Sequence, residues 1–366
     1  MSRQAIMQRA SPAIAVNGSD PVLLLSTVNS TLAQRSGYHV LADYLGETEF
    51  VYAARKDPQI LVPWFFARVS AQMALTRYYL GGSAALEWKA WRRVRCGFRG
   101  VVHMMWADHD LGYLDLMLRD DTTPLCGTFH LCSDTIAQTI RFPGRLRRLA
   151  AIILMSESQR RFFLSVGVEP SRIHVVLHGV DADYFTPTSD KPVDPVTVLS
   201  VGNTRRNFPL LAQVCQAFRG NSRIRFRIVA SPDRRDLFAG IPNVEFLCGL
   251  RDPELLSCYQ QASLLLQTLE NSTANNAVLE AMACGLPVVA ERVGGISEYV
   301  SRENAILTEP NDVDTLVRAI RVLAESRQAR EQMGQAARQR AEQLHWKNVA
   351  HWTREVYKQA ITGTRR

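Results

Sequence analysis

The chain has 366 residues, of which 46% are hydrophobic and 21% are charged. This composition excludes an intrinsically disordered chain, and the length favours two domains. The formal net charge of +8 favours an anionic partner such as a nucleotide diphosphate, an anionic lipid or a nucleic acid. No apolar run approaches the roughly 20 residues of a membrane helix, and we read no signal peptide, so we expect a cytoplasmic protein. The seven cysteines include no CxxC pair, which argues against a disulfide framework and a structural zinc site.

Short apolar runs alternate with helical segments along the chain. Such runs are typical of strands that are covered on both faces, and their alternation with helices predicts parallel α/β sheets. The predicted strands of the first half are residues 22–25, 50–53, 101–105, 125–129, 150–155 and 175–177. Those of the second half are residues 196–201, 226–229, 244–247, 263–266, 287–290 and 305–307. The sequence therefore predicts an α/β protein with two doubly wound domains.

A proline-rich segment separates the two sets of strands. Residues 186–195 read TPTSDKPVDP, and three prolines among Ser, Thr and Asp are typical of an interdomain linker. We predict one Rossmann-like domain over residues 1–187, a linker over 188–195 and a second Rossmann-like domain over 196–345. Apolar residues at helical spacing and charged stretches predict helices over 312–324, 327–344 and 349–361.

Residues 270–298 are the strongest indication of function. They read ENSTANNAVLEAMACGLPVVAERVGGISE, and a helix is predicted to begin near Thr273–Asn276 and to end at Gly285. Free backbone N–H groups at such a helix start favour an anion, for example a phosphate. Glu280 lies about one turn inside the helix among apolar neighbours, where a carboxylate is costly unless it accepts hydrogen bonds, for example from ribose hydroxyls. The alternative is an N-capping cluster on an ordinary helix with Glu280 half exposed.

This segment resembles the donor-binding segment of the retaining GT-B glycosyltransferases of family four. Those enzymes carry a glutamate, seven residues and a second glutamate, then a sequence like LEAMACGLPVVA and VGGIPE. The chain has LEAMACGLPVVA at 279–290 and VGGISE at 293–298, and the resemblance extends over about residues 20–360. It implies the GT-B fold, with two Rossmann-like domains facing a cleft and a C-terminal helix, residues 346–366, that returns to the first domain.

The resemblance also implies an activity and its partners. The second domain would bind a nucleotide-diphosphate sugar, and the first domain would bind a glycan or lipid-linked acceptor. The sugar would pass to an acceptor hydroxyl with retention of its anomeric configuration, in cell-envelope polysaccharide or glycolipid synthesis. No metal cofactor is expected, because no DxD-type pair follows a strand. No nucleic-acid partner is expected, because no known nucleic-acid-binding module accompanies the positive charge.

The family pattern is altered where the donor sugar would be held. The first glutamate of the pattern should stand eight residues before Glu280, and that position is Ser272. Glu270 is two residues too early, so Glu270 or the asparagines at 275 and 276 are candidates for the missing contact. The resemblance thus implies these donor-binding residues: Gly37, Gly202, Glu270, Ser272, Thr273, Asn275, Asn276 and Glu280.

Three further places are candidates for catalysis or acceptor binding. Arg205 and Arg206 follow the first strand of the second domain, where the family places an arginine and a lysine that neutralise the diphosphate. The alternative is a solvated basic turn. His130 ends a predicted strand, where open α/β sheets bind ligands, and the family has a histidine there. We place His39 and His109 on the acceptor side, and a structural role is the alternative for each.

Residues 64–99 are rich in aromatic and basic side chains, with Glu87 as the only acid between Trp64 and Arg99. A basic amphipathic face of this kind favours peripheral contact with the inner face of a membrane. The alternative is a helix pair that packs on the sheet and extends its arginines to solvent.

Three other functions remain as alternatives. A GT-B relative could epimerise or hydrolyse the sugar nucleotide, although the LEAMACGLPVV pattern argues against it. A degenerate transferase could act as a non-catalytic nucleotide-sugar-binding scaffold, since Ser272 replaces a glutamate and a lysine-glycine pair is missing. A dehydrogenase is disfavoured, because no GxGxxG follows the first strand.

Overall fold

The computed structural model describes residues 21–28, 35–46, 48–54, 72–118, 122–190 and 194–364. Its internal contacts divide the chain into two compact units. The first unit holds the described parts of 1–32, 38–177 and 349–366, and the second unit holds those of 33–37 and 178–348. The chain passes from the first unit to the second after Leu177, ten residues before the predicted limit. The residues that follow are bound within the second unit, where Arg338 donates hydrogen bonds to the carbonyls of Ala182 and Phe185. The functional limits of the two domains stay a prediction.

The first unit is built on a six-stranded sheet in the order β2-β1-β3-β4-β5-β6. Its strands are β1 (Val22–Val28), β2 (Thr48–Ala54), β3 (Val101–Met104), β4 (Leu125–Phe129), β5 (Ala151–Leu154) and β6 (Ile173–Val175). All neighbouring strands are parallel. Its α-helices are α1 (Gly81–Arg95), α2 (Ala107–Asp110), α3 (Leu114–Met117), α4 (Ser133–Thr139) and α5 (Arg160–Ser165). Short 3-10 helices span Tyr38–Asp43, Pro143–Arg148, Glu157–Gln159 and Pro170–Arg172.

The second unit is built on another six-stranded parallel sheet, in the order β12-β11-β10-β7-β8-β9. Its strands are β7 (Val196–Val201), β8 (Ile224–Val229), β9 (Val244–Leu247), β10 (Leu264–Gln267), β11 (Val288–Glu291) and β12 (Ala305–Thr308). Its helices are α6 (Phe208–Ala217), α7 (Asp252–Gln261), α8 (Asn276–Ala283), α9 (Ile296–Tyr299), α10 (Val313–Glu325) and α11 (Arg327–Gln343), with a 3-10 helix over Pro232–Phe238. A last helix, α12 (Trp346–Thr364), ends the described chain.

All twelve predicted strands are present, so the two doubly wound sheets are confirmed. Strands β3, β4, β5, β7, β10 and β11 are buried along their whole length, which explains why most of their residues are apolar. The prediction for β6 was two residues too late, because the ladder pairs Ile152–Leu154 with Ile173–Val175 and leaves the next apolar residues outside the sheet.

The strand order fixes where each sheet can bind a ligand. In the second sheet, β7 lies between β10 and β8, which is the order of a dinucleotide-binding Rossmann fold. The order therefore reverses between β7 and β10. Ligands of open α/β sheets bind outside the carboxyl ends of the strands at such a reversal. The loops that follow β7 and β10 are consequently the place to look for a site in the second unit, and those that follow β1 and β3 are the equivalent place in the first.

Helix α12 belongs to the first unit from Val349 onward. Its Tyr357 hydroxyl lies 2.7 Å from Nδ1 of His103 in the middle of β3, and Nε2 of His103 lies 2.7 Å from Oγ1 of Thr128 on β4. Burial, with a further contribution from the neighbouring His130, lowers the pKa of His103 to about 3, so this imidazole is neutral. His103 therefore has a structural role, as its position inside a strand suggests.

Among the described residues, no helix is both long enough and apolar enough to span a bilayer.

Replacing Tyr357 with Phe removes the hydroxyl partner of Nδ1 of the buried His103. An unpaired buried polar atom costs about 1–3 kcal/mol, and we expect the free energy of unfolding to fall by that amount in urea titration. Tyr78→Phe is the matched control, since its side chain is 43% exposed. Equal losses for the two variants would show that the Tyr357 hydroxyl does not stabilise the fold.

Candidate functional site

Two loops of the second unit meet at the point where its strand order reverses. The backbone N–H of Glu270, after β10, donates to the carbonyl of Arg205, after β7, over 3.0 Å. The N–H of Asn207 donates to the carbonyl of Thr268 over the same distance. These bonds hold together two of the loops that the sequence assigned to the donor.

Arg206 binds the protein itself at this point. Its guanidinium donates to the carbonyls of Val201, at 3.0 and 3.1 Å, and Thr204, at 3.0 Å, and to Oδ1 of Asn275 at 3.2 Å. A Cβ atom at Gly202 would lie 2.6 Å from Nη2 of Arg206, and the φ of Gly202 is +108°, so the loop requires glycine here. Burial lowers the pKa of Arg206 to about 10, which leaves the group charged at neutral pH. Arg206 therefore brings a positive charge to the start of α8 while it orders the loop.

Helix α8 begins as the sequence predicts, beside the loop that follows β10. Asn275 caps it, with Oδ1 accepting from the N–H of Val278 at 3.3 Å. Ser272 and Thr273 are buried, and Glu270 is exposed. The Ser272 hydroxyl donates to the carbonyl of Ala274 at 3.1 Å. Ser272 therefore orders the loop before α8, and its contact with a sugar stays a prediction.

Glu280 is buried, with 4% of its surface exposed, so the half-exposed alternative is wrong. The Tyr259 hydroxyl donates to Oε2 at 2.7 Å, and the Ser36 hydroxyl donates to Oε1. Nδ2 of Asn276 donates to the Ser36 oxygen at 3.3 Å. Burial raises the pKa of Glu280 to about 7, against the lowering effect of these hydroxyl donors. The carboxylate thus lies in an apolar setting in which two hydroxyl groups bind its oxygens.

A narrow cavity of the second unit reaches Glu280. Ser36, Gly37, Asn276 and Glu280 are among its lining residues. The φ of Gly37 is +109°, a conformation that favours glycine, and the segment Arg35–Gly37 belongs to the second unit. The structure therefore brings the predicted donor residue Gly37 beside Glu280, although 243 positions separate them in the sequence.

Two residues around Glu280 were missed by sequence reasoning, Ser36 and Tyr259. Tyr259 belongs to no motif. Ser36 directly precedes the donor candidate Gly37, but a contact between positions 36 and 280 is not visible in a single sequence. Glu291 was also missed. Its buried carboxylate ends β11 and accepts from the N–H of Leu269 at 2.7 Å and that of Asn311 at 2.6 Å. Glu291 therefore holds the loop that leads to α8, and its position at the end of a strand was the available indication.

His130 lies in the first unit, directly after β4. Its Nε2 lies 2.8 Å from the carbonyl of Met105, and its ring stacks on Trp106 with centroids 3.9 Å apart. Burial lowers the pKa of His130, against the opposing effect of Asp108, so the ring is neutral at neutral pH. Because a carbonyl only accepts, Nε2 carries the proton and Nδ1 keeps its lone pair.

Asp108 orders the strand ends around His130. It is fully buried, and its Oδ2 accepts from the N–H groups of His130 and Leu131, each at 2.7 Å. Nδ1 of His109 lies 3.0 Å from Oδ1. Burial acts to raise the pKa of Asp108, but these hydrogen bonds and the neighbouring histidines lower it overall, so the carboxylate is ionised. Sequence reasoning missed Asp108, although it lies in the short helix α2 that follows the buried strand β3.

The two acceptor-side candidates also lie in the first unit. His109 stacks on Tyr78, with ring centroids 5.0 Å apart. His39 lies half-buried in the 3-10 helix Tyr38–Asp43. The structure thus places His39, His109 and His130 on the unit without Glu280, in segments that follow β1, β3 and β4. Their roles stay predictions.

Comparison with known proteins identifies the family. The sequence profile of the family described as Glycosyl transferases group 1 matches residues 195–326, which contain the Glu280 site. The part of the second unit that these residues form belongs to this family. The sequence is 33% identical over 204 residues to sulfoquinovosyl transferase SQD2 of Arabidopsis thaliana, covering 50% of this chain and 39% of that protein. It is 26% identical over 328 residues to a D-inositol 3-phosphate glycosyltransferase of Streptomyces bingchenggensis, covering 74% and 72%.

Comparison with solved structures shows that the fold is shared. Sucrose-phosphate synthase from Thermosynechococcus elongatus superposes with a TM-score of 0.72 at 18% identity, over 94% of this chain and all of that one. HepE from Anabaena, crystallised with UDP and glucose, superposes with a TM-score of 0.64 at 15% identity, over 93% of this chain and all of that one. The predicted two-domain α/β GT-B fold is therefore confirmed. The match to the Arabidopsis protein spans only about two fifths of its length.

Gly294→Ala tests how the VGGI turn of this group 1 glycosyltransferase supports the site. The φ of Gly294 is +51°, and a Cβ atom there would lie 2.0 Å from the carbonyl oxygen of Ser272. Gly240→Ala is the matched control, because Gly240 has a φ of +76° and open space around it. The control should cost about 1–2 kcal/mol for its left-handed backbone. Gly294→Ala should cost about 1–3 kcal/mol more through the clash, measured by urea unfolding. Equal costs would contradict the close approach.

Proposed function

We propose that this protein transfers a sugar from a nucleotide-diphosphate sugar to an acceptor hydroxyl, with the nucleotide bound at Glu280. One observation supports this most directly: a buried carboxylate bound by hydroxyl groups lies beside the start of α8, in a sheet with the Rossmann order. Ribose has two neighbouring hydroxyl groups that can donate hydrogen bonds to such a carboxylate. Membership of the group 1 glycosyltransferases agrees with this assignment.

The reaction requires stabilisation of the departing nucleoside diphosphate. Its negative charge would lie at the start of α8, where the helix dipole and the free N–H groups favour an anion. The charge of Arg206 is already held there through Asn275, and Arg205 stands next to it in the loop. Because these groups are ordered before the donor binds, they would cost little reorganisation during the reaction.

We propose retention of the anomeric configuration, as the resemblance to family four implies. The leaving phosphate would then take the acceptor proton on the face from which it departs. Neutral His130, with its proton on Nε2, would accept a hydrogen bond from a sugar hydroxyl through Nδ1. This role differs from that of a general acid, because the lowered pKa leaves no second proton to give.

The activities after which the relatives are named guide the choice of substrates. One relative is called a sulfoquinovosyl transferase, another a D-inositol 3-phosphate glycosyltransferase, and HepE was crystallised with UDP and glucose. We therefore propose a nucleotide-sugar donor and a glycan or lipid-linked acceptor for this chain, in cell-envelope polysaccharide or glycolipid synthesis in the cytoplasm.

We propose that the reaction uses no metal cofactor, since the start of α8 and the two arginines supply positive charge. The described residues contain one group whose geometry could hold an ion, formed by Asp181, Asp183 and His345. Nζ of Lys347 lies 3.1 Å from the Asp183 carboxylate and already balances its charge.

Glu280→Gln tests the donor site. Loss of the ionised acceptor should weaken binding of the preferred nucleoside diphosphate, among UDP, GDP and ADP, by about 10- to 100-fold in calorimetric titration. Glu254→Gln is the control, because Glu254 is an exposed glutamate of the same unit. Unchanged affinity in Glu280→Gln would contradict the ribose contact.

The same protein should release nucleoside diphosphate from one sugar nucleotide in the presence of an acceptor extract, and NMR of the product should show the anomeric configuration of the donor. Inversion would contradict retention. Consumption of the donor without acceptor would favour the epimerase or hydrolase alternative, and binding without turnover would favour the scaffold.

We also propose that α1 contacts an anionic membrane surface. Residues 64–71 of the predicted contact region lie outside the described residues. On α1, Trp88 is 53% exposed and stacks on Trp91, and the guanidinium of Arg95 lies 5.8 Å from the Trp91 ring. Lys89 and Arg92 are exposed beside them. Glu87, the acid of this helix, is buried and accepts from the N–H groups that begin α3, so the exposed face is aromatic and basic.

Trp88→Ala should weaken binding to vesicles of phosphatidylcholine and 30% phosphatidylglycerol by about tenfold, since an indole at the interface is lost. Co-sedimentation with the vesicles measures this binding. Trp352→Ala is the control, because Trp352 is a comparably exposed tryptophan on α12, at 39%. Binding should also fall as salt rises. Equal effects of the two substitutions, or no binding by the unaltered protein, would contradict the membrane contact.

A further inference from the structure

The two oxygens of the Glu280 carboxylate have different surroundings. Oε2 accepts from the Tyr259 hydroxyl at 2.7 Å, and Oε1 accepts from the Ser36 hydroxyl. Tyr259 is fully buried near the end of α7, whereas Ser36 is half-buried and lines the cavity beside Glu280. Oε2 is therefore held from inside the unit, and Oε1 lies on the side of the half-buried Ser36 and of the small cavity.

Tyr259 is a constant hydrogen-bond donor. Burial, with the nearby Glu280 carboxylate, raises the pKa of its hydroxyl well above the ordinary range of tyrosine, so the proton is present at any physiological pH. Its ring also packs edge-on against Phe185, with centroids 6.0 Å apart. Both contacts restrict the phenol to one orientation, in which its O–H points at Oε2.

We propose that Tyr259 is a positioning residue for the donor: it holds Oε2 of Glu280 so that Oε1 is presented to the ribose hydroxyls. This inference rests on the proposed function. In the absence of a nucleotide the Ser36 hydroxyl binds Oε1, and a ribose hydroxyl would take the place of that contact. Nδ2 of Asn276, which donates to the Ser36 oxygen at 3.3 Å in this structure, would remain beside Oε1 as a second hydrogen-bond donor.

The charge state of Glu280 makes nucleotide binding depend on pH. Glu280 faces Tyr259 and Asp252 of α7, Arg206 of the loop after β7, and the neutral side chains of Ser36 and Asn276. Burial and Asp252 raise its pKa, while Ser36, Tyr259 and Arg206 lower it, with a result of about 7. If the hydrogen bond from the Tyr259 hydroxyl is lost, the pKa of Glu280 rises further. Because ribose hydroxyls need the ionised form as acceptor, tight binding should then begin at a higher pH.

The test is calorimetric titration with the preferred nucleoside diphosphate between pH 6 and pH 9. It compares the unaltered protein with Tyr259→Phe, Glu280→Gln and the double variant. Tyr259→Phe keeps the ring against Phe185 and removes only the hydroxyl. Tyr299→Phe is the matched control, because Tyr299 is an equally buried tyrosine of the same unit, and its hydroxyl binds the backbone of His178 instead.

Tyr259→Phe should weaken binding about tenfold at pH 7, as expected for a hydrogen bond to a charged group. The loss should shrink toward pH 9, because Glu280 ionises there again. In the Glu280→Gln background the same substitution should have little effect, since the charged acceptor is absent. Thermal unfolding of each variant shows whether the fold is retained. If Tyr259→Phe does not fold, a crystal structure of the unaltered protein with the nucleoside diphosphate decides: ribose on Oε1 with Tyr259 still on Oε2 supports the proposal, and ribose on Oε2 overturns it.

Four results would overturn the proposal, and the first two concern Tyr259 alone. Tyr259→Phe could bind like the unaltered protein at every pH, or it could lose the same affinity at every pH and in both backgrounds, as a purely structural role would give. In either case Glu280→Gln would still weaken binding, and the proposed function would stand. If no nucleoside diphosphate binds, or if Glu280→Gln binds unchanged, the proposed function fails together with this inference.

Discussion

A carboxylate that is buried in an apolar helix must be satisfied by hydrogen bonds, and the second unit is organised around this constraint at Glu280. Ionising such a group without partners would cost several kcal/mol. The structure supplies hydroxyl groups from Tyr259 and Ser36, and the chain segments that bring them come from α7 and from residues 35–37. A pKa near 7 shows that these partners offset the cost of burial only in part. A group in this state gains from additional donors, which is the property required of a ligand site.

The first unit uses the same principle at the ends of its strands. Asp108 is fully buried after β3, and it accepts from the backbone of the loop that contains His130. In the second unit, Glu291 binds the loop before α8 in a similar manner. Each buried carboxylate fixes loops that parallel strands bring to one edge of their sheet. The strand order decides which loops meet, and the buried acids decide how rigidly these loops are held.

The sequence predicts most of the fold, because strands that are buried on both faces are mainly apolar. β5 is apolar at every position, and β3, β7 and β11 are apolar at most positions. The edge strand β6 was placed two residues too late, because a half-buried strand has a weaker pattern. The start and end of α8 followed from Asn275 and Gly285, which act through local backbone geometry.

The candidate site was only partly predictable. Glu280 and the start of α8 were found from a contiguous motif, whereas the contacts of Ser36 and Tyr259 with Glu280 join distant positions of the sequence. At least one of Arg205 and Arg206 was expected to contact a phosphate, and this stays a prediction. The structure adds that the Arg206 guanidinium binds the carbonyl of Val201. That conformation depends on the missing side chain of Gly202 and on the loop geometry, which residue types alone do not specify.

The central claim is that Glu280 receives the ribose of a nucleotide. A crystal structure of the protein soaked with its preferred nucleoside diphosphate tests it most directly. The account predicts a ribose hydroxyl at about 2.6–3.2 Å from Oε1 of Glu280, Oε2 still bound to Tyr259, and the diphosphate at the start of α8. A nucleotide bound elsewhere, with Ser36 still on Glu280, would contradict it.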